Sequence, residues 1–342
     1  MGNVLCFGEI LLRLSPVLQG EWLLQNNMSA FIGGAELNVA AALAKWNMPV
    51  MYCSAMPQNF LSQEIIAYLQ QKKINTSAFH FGGSRIGIYY LPQGADLKHA
   101  GVIYDRAHSS FADLRPGMIN WDKAFKNVSW FHFSAISPAV SEDATDVCEE
   151  ALKAASERKI TISVDLNYRA KLWQFGKKPI EVMPSLVKYC DVIMGNVWSA
   201  NTLLGIRVDE NIHGDPSKEA YLNHSLKTSQ EIQQKFAKCT SVANTFRFDY
   251  KKQGIRYFTA LYQNGTQLSS PEFFADTIID KVGSGDCFMA GLIYGLYKHH
   301  PQQQVIDFAA TAAYGKLFET GDATSQDVIT IEHKLQANRF QQ

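Results

Sequence analysis

Short, predominantly apolar runs recur along the chain, and each ends on a polar residue or a glycine. Val4–Phe7 leads into Gly8-Glu9, Val50–Cys53 into Ser54 and Trp130–Phe133 into Ser134. Ile160–Val164 leads into Asp165, and Val192–Met194 into Gly195-Asn196. Runs of this length and character predict strands buried on both faces. Between them the spacing predicts helices over Ala35–Trp46, Ser62–Lys73, Ser141–Arg158 and Ile180–Tyr189. The third opens Ser141-Glu142-Asp143, an N-cap followed by acids in the first turn. Strand–helix alternation implies an α/β fold with a mainly parallel sheet. In such sheets ligands bind beyond the C-terminal strand ends, so the polar residues after each run should gather on one edge.

Two stretches break the alternation. Residues 11–32 and 83–108 mix glycines with aromatic residues, and Gly87–Leu91 and Val102–Tyr104 read as antiparallel strands. They predict a small accessory β-sheet, a lid, inserted into a core formed by residues 1–10, 33–82 and 109–342. Residues 207–230 are polar and read as an exposed excursion, with a helical pattern resuming over Glu231–Phe236.

Composition narrows the class. In 342 residues, Lys+Arg and Asp+Glu both number 32, so the basic excess of a general nucleic-acid binder is absent. A 46% hydrophobic share is that of a globular chain. The six cysteines form no C-x-x-C pair and sit mostly in apolar stretches, which predicts reduced, buried thiols. Met1–Pro16 lacks the basic start of a secretory signal, and no apolar run reaches membrane-spanning length. The expectation is a soluble cytoplasmic enzyme.

Three segments carry candidate chemistry. Asp280-Lys281-Val282-Gly283-Ser284-Gly285-Asp286 precedes a helix that is apolar nearly all round. A Gly-Ser-Gly turn at a helix N-terminus presents unshielded N–H groups to an anion. Asp286 would repel a phosphate there, and it makes sense facing a hydroxyl that loses its proton during attack. The positive helix end should make it a weak base. A capped turn explains the same residues. Gly33-Gly34-Ala35-Glu36-Leu37-Asn38 opens an alanine-rich helix, where Asn38 among small apolar residues calls for a dedicated partner. Asp165-Leu166-Asn167-Tyr168-Arg169 falls at a strand end, and Tyr104-Asp105-Arg106 lies in the lid segment. Each offers an arginine suited to a carboxylate or phosphate, with a surface ion pair as the plainer reading.

Together the two glycine segments resemble the signatures of the ribokinase-like, PfkB-type carbohydrate kinases, in order and at either end of the chain. Gly8–Pro16, Val102–Arg106, His132–Pro138 and Asp165–Arg169 are similar to the 2-keto-3-deoxygluconate kinases within that family. The resemblance implies a three-layer Rossmann-like core with a small β lid that forms a homodimer contact. It also implies ATP, Mg²⁺ and γ-phosphoryl transfer to the terminal hydroxyl of a sugar acid. Asp286 would be the base, and Gly283, Ser284 and Gly285 the anion hole. Gly33, Gly34 and Asn38 would hold sugar hydroxyls, and Tyr89, Tyr104, Arg106 and Arg169 would line the acid-sugar site. Asn196 would lie near the nucleotide phosphates, and carbonyls near Asp280 and Gly321 could hold a monovalent cation.

Two departures fall in the nucleotide half. The family's Asn-x-x-Glu reads Asn196-Val197-Trp198-Ser199, and its Thr-x-Gly-x-x-Gly turn corresponds to Val242–Phe248, with neither glycine. Arg247 is a candidate phosphate contact there, or a surface residue. A fructokinase and a sugar-acid sensor without turnover are the competing functions.

Overall fold

The computed structural model describes residues 2–16, 27–92, 101–209, 212, 214 and 216–339. The first elements are β1 (Asn3–Phe7), β2 (Leu11–Ser15), β3 (Ser29–Gly33), α1 (Ala35–Lys45), β4 (Val50–Cys53), β5 (Ala55–Met56) and α2 (Phe60–Gln71). Then come β6 (Ile74–Asn75), β7 (His80–Phe81), β8 (Gly87–Tyr90), β9 (Ile103–Asp105), α3 (Trp121–Ala124), β10 (Val128–Ser134), α4 (Glu142–Glu157) and β11 (Thr161–Asp165). The chain continues through α5 (Pro179–Val187), β12 (Val192–Gly195), α6 (Val197–Leu204), α7 (Lys218–Lys235), β13 (Ser241–Tyr250) and β14 (Gly254–Gln263). It ends with β15 (Thr266–Ser269), β16 (Phe273–Ala275), α8 (Ser284–Tyr297), α9 (Gln302–Lys316) and α10 (Val328–Arg339).

The large sheet runs β15-β14-β13-β12-β11-β10-β1-β4-β6, with β16 beside β14. Pairing is parallel from β13 to β6 and antiparallel around β14. Alternation along β1 shows the layers. Val4 and Cys6 pack with α1, α8 and α9 through Leu37, Phe288 and Ala309. Leu5 and Phe7 face α4 and α5 through Cys148, Leu152 and Leu186. Both faces of the sheet are therefore covered, as all-apolar strands require. A second sheet, β3-β2-β8-β9, stands apart, with β8 and β9 antiparallel as expected. Parts of its predicted segments, 17–26 and 93–100, lie outside the described residues.

One expectation is corrected. Residues 218–230 are not an exposed excursion. They form most of α7, whose inner face carries Tyr221, His224, Ser225, Thr228, Ser229 and Ile232. Ser225 Oγ donates to Asn244 Oδ1 on β13 at 2.7 Å. The face is buried through polar partners, so the sequence carries no apolar stripe. Residues 210, 211, 213 and 215 of the same stretch lie outside the described residues. All six cysteines are free and buried.

Helices α8 and α9 pack tightly enough that a Cβ on Gly291 would lie 2.5 Å from Ala309 Cα. Gly291→Ala gains about 1 kcal/mol of helix propensity. It costs about 1–3 kcal/mol in overpacking. The variant is expected to melt below the wild type in a thermal scan. An unchanged or raised Tm would show that the two helices have room to separate.

Candidate active site

The carbonyl ends of the parallel strands open on a cleft of about 700 Å³, within the size range of small-molecule sites. Glu9 after β1, Asp165 at the end of β11 and Gly195-Asn196 at the end of β12 all line it. Three of the five expected run ends thus gather at the cleft, whereas Ser54 and Ser134 do not line it.

The glycine turn forms the floor. Gly283 caps α8 in the left-handed region at φ 77°, and a Cβ there would sit 1.9 Å from the Asp322 carbonyl oxygen. Only glycine satisfies both conditions. The first helical bond runs from Cys287 N to Gly283 O at 2.8 Å. The amides of Ser284, Gly285 and Asp286 precede it and have no partner within the helix. Ser284 Oγ turns away to the Ala313 carbonyl at 3.0 Å, so its amide is the group left for an anion. A Cβ on Gly285 would meet open space.

Asp286 is 7% exposed, and its Oδ2 accepts from Asn38 Nδ2 at 2.7 Å. The two glycine segments thus meet through the partner that Asn38 required. Asn38 Oδ1 is buried and has no hydrogen-bond partner. Burial pushes the Asp286 carboxyl up to about 7, against the pull of the Asn38 bond and of Arg169. This corrects the expected weak base, because desolvation outweighs the positive helix end. Asp165, in the same cleft, is also pushed well up by burial and then by Asp286, with Arg169 opposing.

Of the other expected residues, Gly34, Tyr89, Tyr104, Arg106, Arg169, Asn196, Arg247, Gly283, Ser284 and Gly285 line the cleft. Gly33 does not. It lies behind, where a Cβ would be 2.3 Å from Asp322 Oδ2. Arg106 is bound to Glu9, with Nε at 2.6 Å and Nη2 at 2.5 Å from Oε2. Ser109 Oγ donates to the other carboxylate oxygen of Glu9. The Arg106 charge is therefore offset locally, whereas Arg169 is half-buried and donates from Nη1 to the Tyr168 carbonyl at 3.0 Å. Asn196 Oδ1 caps α6 by accepting from Ser199 N at 2.8 Å. The stretch 242–248 is continuous strand within β13, and Thr245 and Arg247 project from it into the cleft.

Sequence reasoning passed over four charged groups. Arg13, 1% exposed, ion-pairs with Asp280 at 3.1 Å and Asp322 at 2.9 Å, its guanidinium 4.5 Å from the Phe31 ring centroid. Tyr89 Oη donates to Asp322 at 2.7 Å. Glu36 accepts from Ser134 N, Ser134 Oγ and Ser137 Oγ at 2.7–3.0 Å. Lys171 Nζ in the cleft donates to the Val102 carbonyl at 3.0 Å. Burial alternates along Leu11–Ser15 with Arg13 turned inward, whereas a polar residue between Leu12 and Leu14 reads as outward in the sequence. Residues 13 and 322 share no local motif.

A parallel three-layer core, a second small sheet and an anion-ready helix terminus in one cleft define a ribokinase-like α/β protein. The chain belongs to the pfkB family of carbohydrate kinases, whose family model matches residues 1–328. It is 33% identical to a 2-dehydro-3-deoxygluconokinase from Thermotoga maritima of known structure, with a TM-score of 0.88, covering 98% of this chain and 100% of that one. It is 27% identical to a 2-dehydro-3-deoxygalactonokinase of Haloferax volcanii, over 94% of this chain and 92% of that protein. A fructokinase with bound ATP from Xylella fastidiosa shares the fold at 18% identity and a TM-score of 0.75, covering 98% of this chain and 99% of that one.

The raised Asp286 carboxyl has a stability consequence. The folded state holds the proton more tightly than the unfolded chain, so the wild type loses stability as pH rises from about 4 through about 7. Asp286→Asn removes that titration. The variant is expected to melt above the wild type near pH 8, with the gap closing toward about pH 4. Coincident melting curves near pH 8 would mean that Asp286 titrates like an exposed carboxylate.

Proposed function

We propose that the protein is an ATP-dependent kinase that phosphorylates 2-keto-3-deoxygluconate, or a close 2-keto-3-deoxy sugar acid, at its terminal hydroxyl. The observation that carries this reading is the Asp286 carboxylate, held by Asn38 beside free helix-terminal amides, with the Arg169 charge in the same cleft acting on it. In the proposed reaction the terminal hydroxyl oxygen bonds to the γ-phosphorus and the bond to the β–γ bridging oxygen breaks, releasing ADP. Asp286 takes the hydroxyl proton, and the amides of Gly283, Ser284 and Gly285 meet the equatorial phosphoryl charge. Such a transition state is loose, so positioning and charge matter more than base strength. The carboxyl near 7 makes the free enzyme gain activity as pH rises through that value.

Arg169, with Tyr89 and Tyr104 lining the same cleft, suits the carboxylate of a sugar acid. The Arg106 charge is already met by Glu9, so the burden falls on Arg169. Asn196 and Arg247 would serve the nucleotide. Oxygen donors lining the cleft, Asp165 among them, suit Mg²⁺, which binds through one or two carboxylates plus phosphates and keeps several waters. The small sheet would act as a lid that excludes water. A homodimer through it is supported by the edge strand β9, where Ile103 is 52% exposed. Among the described residues no helix is long and apolar enough to cross a membrane. A cytoplasmic place in sugar-acid catabolism goes with this reading.

The decisive assay is ADP release with ATP and Mg²⁺ across 2-keto-3-deoxygluconate, 2-keto-3-deoxygalactonate, fructose and ribose. Turnover is expected for the keto-deoxy acids alone, and Arg169→Met should raise their KM by about 10- to 100-fold, the value of one charged hydrogen bond. Preferred turnover of fructose would move the function to a neutral-sugar kinase. Saturable binding of an acid without turnover would make the protein a sensor.

Arg247→Ala tests the nucleotide side separately. The KM for ATP should rise by about tenfold or more, with the sugar KM little changed. Unaltered ATP kinetics would place Arg247 outside the phosphate contacts.

A further inference from the structure

A buried lysine lies beside the glycine turn and takes no part in the mechanism above. Lys316 is the last residue of α9 and is 0% exposed. Its Nζ donates to the Glu319 carbonyl at 3.2 Å. Its stem runs beside the turn, since a Cβ on Gly283 would lie 3.4 Å from Lys316 Cε. The backbone ties the same two segments together. The amides of Ile279 and Asp280 both donate to the Leu317 carbonyl, at 2.8 and 3.2 Å.

Acidic groups surround it. Asp280 and Asp322 are buried carboxylates, and Arg13 is their direct ion-pair partner. One guanidinium against two carboxylates leaves a buried negative excess, which is costly in a low-dielectric interior. Lys316 supplies the second positive charge. The groups facing it are Asp280 and Asp322, with Glu319 on the loop after α9 and Cys287 on α8. Burial draws the Lys316 ammonium down, and these groups work against that pull.

This bears on the monovalent cation that the family resemblance places among carbonyls near Asp280 and Gly321. Here a carbonyl of that segment, Glu319 O, is already bound by an ammonium, and the buried carboxylates have Arg13 as a direct partner with the Lys316 ammonium acting on them as well. The segment does not fit a free cation. We propose that Lys316 is a tethered cation. It is a positioning residue that holds the turn Gly283–Asp286 against the 319–322 loop and makes the anion hole independent of monovalent salt. Arg13 approaches the same carboxylates from the small sheet, so Lys316 acts from the helix side alone.

The inference rests on the kinase activity of the family and not on the choice of sugar, so its test has an arm without sugar. Binding of a non-hydrolysable ATP analogue with Mg²⁺ is measured by calorimetry in buffers holding potassium, sodium or only tetramethylammonium. ADP release with whichever acceptor the panel identifies is measured in the same buffers. Wild-type binding and turnover are expected to be the same in all three. Stimulation by potassium in either assay would overturn the proposal, and lack of turnover with the keto-deoxy acids would touch only the sugar reading. Lys316→Ala, if folded by circular dichroism, should lose about tenfold or more in kcat. Ammonium or potassium should restore much of that loss. A folded variant with unchanged kcat, or with a loss that no cation restores, would make Lys316 merely structural. If the variant does not fold, the wild-type salt series decides alone.

Discussion

Arg13 is the constraint on which the site depends. Its guanidinium joins two carboxylates that the chain delivers from its far end, 267 positions away in the case of Asp280. A buried ion pair adds little net stability over a well-packed apolar substitute, because desolvating both charges consumes most of the Coulombic gain. Losing one partner is another matter and typically costs about 3–5 kcal/mol, since a naked charge stays behind. Such a cluster therefore fixes geometry more than it adds stability. Here it fixes the small sheet, through Arg13 on β2 and Tyr89 on β8, to the Asp280–Asp286 turn and the Asp322 loop. The Asp322 backbone in turn forces glycine at 283, and its carboxylate forces glycine at 33. One carboxylate residue thus explains two glycines that sequence reading assigned separately to an anion and a sugar.

Carboxylates in the cleft differ by the partner each is given. Glu9 has a guanidinium and a serine hydroxyl, and Glu36 has three serine donors. Asp286 has one neutral amide from Asn38. A neutral donor offsets part of the desolvation cost and leaves the rest as a raised proton affinity. That is the condition for a group that must exchange a proton near neutrality. Glu9 is tied to a cation, and Glu36, whose carboxyl burial also raises, has three donors on one oxygen and no opening to a substrate hydroxyl through it, so both serve better as scaffolding. The division of roles follows from which donors the fold brings near each acid.

The fold was legible where burial is apolar. The strand at Val4–Phe7 and the helix behind Ser141 appear at or within a residue or two of their expected bounds, because runs and caps are local signals. It was not legible at α7, where Ser225 and Ser229 are buried against Asn244 and the face is polar. Hydropathy cannot distinguish such a face from a solvated loop. The site divides the same way. Asn38 and Asp286 stood out as polar residues in apolar helices, and the partner Asn38 required proved to be Asp286. Asp322 carries no local pattern, and its neighbour Gly321 was noted only for carbonyls that could hold a monovalent cation. Its importance exists only once residues 13, 33, 89 and 283 are folded around it.

The nucleotide half shows what replaces a missing glycine turn. In β13 and β14 the stretch is a continuous antiparallel pair, with Arg247 opposite Tyr257 and Thr245 opposite Thr259. Residues directly opposite in such a pair share a face, as do residues two apart. Thr245, Arg247 and Tyr257 accordingly form one surface of the cleft. A glycine turn would offer backbone amides at close range and no net charge. This wall offers a hydroxyl, a phenol and a guanidinium at the reach of side chains. In the proposed reading, recognition of the phosphates on this side passes from fixed dipoles to a side-chain charge, which is screened by salt where amides in a closed turn are not. The opposite side keeps its amides at Ser284 and Gly285, on a turn whose Gly283 is crowded by the Asp322 carbonyl and the Lys316 stem.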